Sequence, residues 1–265
     1  MSPGREGRGA RQQDVTAAAL RQVTPTAAVL LAPNPGPMTL DGTNSWVLRA
    51  PGEPTCMVVD PGPLSEPHLA ALAAAGEVTT ILLTHGHADH SEGAARLAAL
   101  TGAAVRASDP AHRLGEQGLA DGDVVAQAGL ELRVLATPGH TADSLSFTLD
   151  DAVLTGDTVL GRGTTVVAHP DGVLADYLHS LERLQELGER TVLPGHGPEL
   201  PAAGAAAERY LAHRRERLGQ VRAAVAAGAD TPRAVVEVVY ADVDRALWPA
   251  AELSVRAQLA YLGRG

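Results

Sequence analysis

"ILLTHGHADHSEG" occupies residues 81–93. An apolar run ends at Thr84, and His85, His87, Asp89 and His90 then crowd into six positions. Such polar groups are costly to bring together unless something satisfies them. Imidazole and carboxylate are the donors that suit Zn²⁺, and Fe or Mn less selectively. Two imidazoles at i and i+2 after a strand can point at one metal, and the pair at i+4 and i+5 can point at a second. The alternative is a hydrogen-bonded polar cluster with no ion.

Three later stretches repeat one pattern: apolar strand, turn with glycine, ligand-type side chain. They are "TPGHTADS" with His140, "LTGDTVL" with Asp157 and "LPGHGPE" with His196. A carboxylate has two oxygens, so Asp157 can bridge two cations.

Working outward, 27–32, 45–50, 56–62 and 78–84 read as strands. Residues 66–76 read as a helix. Residues 91–102 read as a second, with Ser91 as N-cap and Gly102 as stop. Short strands follow near 103–107, 131–136, 144–149 and 152–155. A helix follows at 174–188, then a strand at 190–197. The order is strands, βα units, strands, βα again. It predicts an α/β fold of two similar halves, a four-layer αββα sandwich over residues 23–202. From 203 to 265 only helices are expected, forming a small C-terminal region. Residues 1–22 read as a disordered tail.

Composition narrows the class. The 265 residues are 45% hydrophobic, enough for one large domain with an appendage. Aromatics are 3%, so Ala, Val and Leu must build the core. There is no lysine, and the formal net charge is −10. That argues against DNA and anionic membranes as partners. Residues 207–265 hold nine arginines against seven acids, so a local phosphate-reading patch stays open there. Cys56, alone in an apolar strand, reads as inert packing. No apolar run approaches a membrane span, and no secretory h-region follows the first arginines. A soluble, cytoplasmic protein is expected.

His85-x-His87-x-Asp89-His90, then His140, Asp157 and His196, resembles the metallo-β-lactamase fold superfamily in its glyoxalase II-like hydrolytic arrangement. "NPGPMTLDGTNSWVL", "GDTVLGRGTTVV", "YLHSLERL", "LPGHGPEL" and "YLAHRRER" resemble the β-lactamase-like protein 2 family, which includes an endoribonuclease. The resemblance implies that His85, His87 and His140 bind one metal, and that Asp89, His90 and His196 bind the other. Asp157 and a hydroxide would bridge the two ions, and Asp89 would accept the proton. It also implies a winged-helix-like C-terminal region.

The implied activity is cleavage of an ester-type bond, with two substrate classes open. One is single-stranded RNA; the other is a small thioester, ester or lactone. A β-lactamase fits less well, because Asp157 stands where many of those enzymes carry cysteine. A protein that binds metal without catalysis is the third reading. The oligomeric state stays open, with a dimer as one option.

Asn44, Thr164, Thr165 and His169 are expected near the mouth of the site as substrate contacts; ordinary turn chemistry is the alternative for the first three. His68, His112 and His179 are expected at the surface. His213 is expected at a helix–domain seam, with a phosphate contact as the alternative. Arg214, Arg215 and Arg217 could read phosphate or form a solvated helix face.

Overall fold

The computed structural model describes residues 19–115 and 117–263. The expected tail therefore lies largely outside the described residues. Its last four residues, 19–22, do not, and of these Arg21 and Gln22 form strand β1 (Arg21–Gln22). They pair with Val29 and Ala28, so ordered chain starts before residue 23.

The first sheet continues with β2 (Ala27–Leu31), β3 (Asn44–Leu48), β4 (Thr55–Val59), β5 (Glu77–Leu82) and β6 (Ala104–Arg106). The strands lie side by side in chain order. β1 to β4 run antiparallel, while β4, β5 and β6 are parallel. Parallel pairing needs crossovers. α1 (Glu66–Ala73) supplies the first, and α2 (Ala88–Ser91) with α3 (Ala94–Thr101) supplies the second.

The second sheet holds β7 (Val124–Gln127), β8 (Leu130–Ala136), β9 (Leu145–Thr148), β10 (Ala152–Gly156) and β11 (Thr191–Pro194), in the spatial order β11-β10-β9-β8-β7. α4 (Leu174–Gln185) crosses between the parallel strands β10 and β11. β7 has no counterpart in the sequence reading. Only Val125 of its four residues is buried, so it carries no apolar run.

Strand alternation sorts the core into layers. Trp46, Leu48, Met57, Val59 and Phe147, the chain's one phenylalanine, meet between the sheets. The intervening Val47, Cys56 and Val58 face Leu69, Leu72 and Leu97 of α1 and α3. On the far side Val153 and Val192 meet Tyr177 and Leu181 of α4. This is the four-layer sandwich. Truncating Trp46 or Phe147 to Ala would cost about 3–5 kcal/mol.

α5 (Ala203–Ala226) opens the helical C-terminal region. Its first two thirds, Ala203 to Leu218, belong to the α4 layer. Its end, from Val221, packs with α6 (Pro232–Val239) and α7 (Trp248–Tyr261) around a separate small core. One rigid helix thus joins sandwich and appendage.

Two local expectations are corrected. Ser91 ends α2 rather than capping the next helix, and its hydroxyl donates to the Gly86 carbonyl at 2.9 Å. Gly93 takes the cap position of α3, where a Cβ would come within 2.8 Å of the Leu69 side chain. His68 is buried, with its Nε2 2.9 Å from the Ser45 hydroxyl. It lies on the core-facing side of α1 beside Leu69 and Leu72. Among the described residues no helix is long and apolar enough to cross a membrane.

Candidate metal centre

Strand ends of both sheets deliver the polar side chains to one edge of the sandwich. His85 follows β5, His140 follows β8, Asp157 follows β10 and His196 follows β11. Three groups result: His85, His87 and His140; His85, His90 and Asp157; Asp89, His90 and His196. Within each, the facing atoms lie within 4.8 Å of one another.

His87 Nδ1 stands 3.1 Å from both His85 Nε2 and His140 Nε2. On the other side, His90 Nε2 and His196 Nε2 are 3.2 Å apart, with Asp89 Oδ2 3.1 Å from the latter. Two ligands on one tetrahedral zinc stand roughly 3.3 Å apart. Asp157 sits between the groups. Its Oδ1 is 3.4 Å from both His90 Nε2 and His196 Nε2, and its Oδ2 is 3.7 Å from His140 Nε2.

The outer nitrogens explain why the inner ones are available. His140 Nδ1 donates to the Val166 carbonyl at 2.8 Å, and His196 Nδ1 to the Gly42 carbonyl at 3.1 Å. His90 Nδ1 donates to Asp60 Oδ2 at 2.8 Å. His85 Nδ1 donates to the Thr84 hydroxyl, which donates to Asp60 Oδ2 at 2.6 Å. With the proton held outside, each Nε2 turns a lone pair inward. Ring nitrogens facing each other at these distances need a proton or a metal ion between them. Asp157 Oδ1 is buried and makes no hydrogen bond. A Cβ on Gly195 would come within 2.6 Å of that oxygen and 2.7 Å of His90 Cε1. The residues present therefore fit metal ions.

The electrostatics agree. Burial drives the imidazoles of His85 and His140 below the usual histidine range, and neighbouring imidazoles add to it. Burial opposes charge on His90 and His196 too, but the carboxylates outweigh it. Asp157 and Asp60 lift His90, while Asp157 and Asp89 lift His196 to about 9. That half of the site is anionic ground for a cation.

Asp60 was not singled out from sequence. It ends "CMVVD", which reads as a strand closed by a turn residue. In the fold its carboxylate also accepts from the Thr84 amide at 2.8 Å, so it fixes both sides of the cluster. Only its place after an apolar strand, the pattern shared by the ligands, hinted at this.

A cavity of about 340 Å³ opens beside His140 and Asp157. Thr164 and Thr165 line it, but the Thr165 hydroxyl is spent on the Asp157 carbonyl at 2.7 Å. Asn44 lies elsewhere. Its Nδ2 donates to the Pro194 and Gly197 carbonyls at 3.0 and 2.8 Å, so it anchors the His196 loop and has no free donor for substrate. His169 is exposed and outside the cavity lining. His179 is exposed as expected, whereas His112 is half-buried against Gly86. His213, Arg214 and Arg217 bring α5 to the cavity wall, and Arg215 points elsewhere. Arg214 is 5% exposed, which excludes a solvated face for it.

Comparison with known proteins follows the same division. Residues 38–196 match the Metallo-beta-lactamase superfamily, and residues 231–264 match the Beta-lactamase associated winged helix domain. The chain is 36% identical over 186 residues to an atrochrysone carboxyl ACP thioesterase of Aspergillus fumigatus, covering 66% of this chain and 57% of that protein. It is 31% identical to a beta-lactamase-like protein 2 homolog of Caenorhabditis elegans, covering 88% of this chain and 82% of that one. A metallo-beta-lactamase family protein from Thermus thermophilus superposes with a TM-score of 0.75 at 25% identity, over 91% of this chain and 94% of the other. A related protein solved in a di-iron-bound form gives 0.55 at 25% identity, over 69% of this chain and 98% of its own. The sandwich, the strand ends that carry the histidines and Asp157, and these matches together make the chain a member of the metallo-beta-lactamase superfamily.

Proposed function

We propose that this chain is a binuclear, zinc-dependent hydrolase of a small thioester or ester. The observation that carries the reading is Asp157, whose two oxygens face opposite ligand groups at the floor of a confined cavity. His85, His87 and His140 would hold one ion, and Asp89, His90 and His196 the other, with Asp157 shared. Two such cations supply an acidified water as nucleophile and polarise the substrate oxygen.

The chain's own residues do the rest. Asp89 is the proton acceptor. Burial raises its carboxyl, but the hydrogen bond from His196 and the charge of His90 bring it below the usual range, so it stays ionised. Its side chain is 29% exposed and can exchange protons with solvent. Leu160, Val166 and Leu247 give the cavity an apolar lining suited to an acyl chain. The thioesterase among the relatives supports that substrate class.

The test is the purified chain, with elemental analysis, offered a thioester panel and labelled single-stranded RNA with and without chelator. Thioester hydrolysis that is lost with EDTA and absent from a His85→Ala, Asp157→Ala double variant supports the reading. Activity that survives chelation, or cleavage of RNA alone, overturns it. Iron at two equivalents would replace zinc in the assignment.

A further inference from the structure

The C-terminal wall of the cavity carries charge that the metal chemistry does not use. His213, Arg214 and Arg217 lie at i, i+1 and i+4 on α5, and all three line the cavity that His140 and Asp157 close. Arg214 is buried and stacks over the Tyr177 ring, 4.9 Å from its centroid. One of its terminal nitrogens donates to the Thr165 carbonyl, but its Nε is buried without any partner. Arg217 lies over the Tyr240 ring at 4.6 Å and donates from Nη1 to the Val239 carbonyl and to Gln220. Six other arginines, Arg21, Arg96, Arg162, Arg183, Arg233 and Arg256, have a carboxylate in contact. Among the described residues the other eleven, Arg214 and Arg217 included, have none, and of these Arg214 is the one that is buried.

A guanidinium taken out of water without a counter-ion is costly; that holds for the buried Arg214, while Arg217 beside it is half-buried. Both arginines are held by carbonyls and ring faces, which orient a cation but leave its charge uncompensated. The planar fork of arginine suits an incoming carboxylate or phosphate.

The geometry points to an anion subsite: Arg214 and Arg217 hold a carboxylate or phosphate of the substrate on the α5 wall, so the substrate is an acidic acyl thioester or ester. This rests on the hydrolase reading above and narrows its substrate. The anion can sit on the acyl half, as a carboxylate, or on the thiol half, as a phosphate. Either way α5 selects substrate while the strand ends serve the reaction.

The experiment uses the metal-loaded full chain and three thioesters. Glutaryl-N-acetylcysteamine carries its charge on the acyl half. Butyryl-coenzyme A carries it on the thiol half. Butyryl-N-acetylcysteamine is neutral. One charged substrate should exceed the neutral one in kcat/KM by at least about tenfold, the scale of one charge-assisted contact. Arg217→Gln should raise KM for that substrate by about tenfold and collapse the preference toward one. Arg214→Lys, which keeps the charge but loses the fork, should fall between.

A binding readout stands apart from catalysis: calorimetric titration with glutaramate, one carboxylate, against neutral glutaramide. Wild-type protein should bind the anion more tightly, and Arg217→Gln should weaken it. Equal kcat/KM on all three thioesters, a preference that survives both substitutions, or RNA cleaved faster than every thioester overturns the subsite. Hydrolysis without preference leaves the hydrolase reading standing. Absence of all thioester hydrolysis, with glutaramate binding still dependent on Arg217, overturns that reading and keeps the subsite.

Discussion

Asp60→Asn tests whether the cluster is organised from behind. The carboxylate accepts three bonds: the Thr84 amide at 2.8 Å, the Thr84 hydroxyl at 2.6 Å and His90 Nδ1 at 2.8 Å. An asparagine oxygen can keep the Thr84 amide. Its NH₂ then faces His90 Nδ1, which must become an acceptor. The His90 proton moves to Nε2, the nitrogen aimed at His196 and Asp89. A protonated Nε2 cannot ligate. Loss of such an outer partner lowers metal affinity by about 10–100-fold, which is about 1.4–2.8 kcal/mol. The ion held by Asp89, His90 and His196 should suffer first, because His85 meets Asp60 only through Thr84. The assay is competition with a chelator of known affinity across a zinc-buffered series, with stoichiometry by elemental analysis and circular dichroism to show that the fold persists. Stoichiometry should fall from two toward one at a free zinc level that saturates wild type. An Asp60→Asn chain that keeps both ions at wild-type affinity would refute the argument that Asp60 sets the His90 tautomer.

Other outcomes follow from the same geometry. Gly195→Ala places a methyl 2.6 Å from Asp157 Oδ1 and 2.7 Å from His90 Cε1. Metal content by elemental analysis should drop sharply; full occupancy would show that the cradle is not where the ions sit. Asn44→Ala removes one buried and one part-buried hydrogen bond to the His196 loop, and urea titration should show a loss of about 1–3 kcal/mol. His68 gives a pH signature. Burial lowers its imidazole from 6.5 to about 4. The unfolded chain therefore takes up a proton first as pH falls. The stabilisation is complete above pH 6.5 and is lost progressively down to about pH 4, amounting to about 3 kcal/mol. The difference in unfolding free energy between wild type and His68→Gln should shrink by that order across this window. A pH-independent difference would show that His68 does not carry it.

Much of this protein was legible before any fold was known. The candidate ligands His140, Asp157 and His196 each follow a strand and a glycine-containing turn, and His85 directly follows a strand, so chain geometry alone turns all four to strand ends. His85 to His90 are neighbours in sequence, and their proximity needs no topology. The layers followed from hydrophobic runs and their periods, because alternation in strands and i, i+4 spacing in helices are local properties. Ser91 was misread because cap residues look alike in sequence, and the choice was made by Gly93 against Leu69.

What only the tertiary structure decided depends on partners far along the chain. Asn44 is a polar loop residue until β11 and the loop after it arrive 150 and 153 positions later and take both its donors. His68 looks like a surface histidine until α1 turns it onto Ser45. Asp60 becomes the support of two ligands because β4 and β5 pair in parallel and end side by side. Arg214 becomes a buried cation because α5 lies across the sandwich, and neither its burial nor its lack of a counter-ion is a property of the helix alone. The candidate ligands are written in residue type and local spacing. Protonation state, orientation and substrate contact are set by which groups exclude water from which others, and that is settled only when the sheets close.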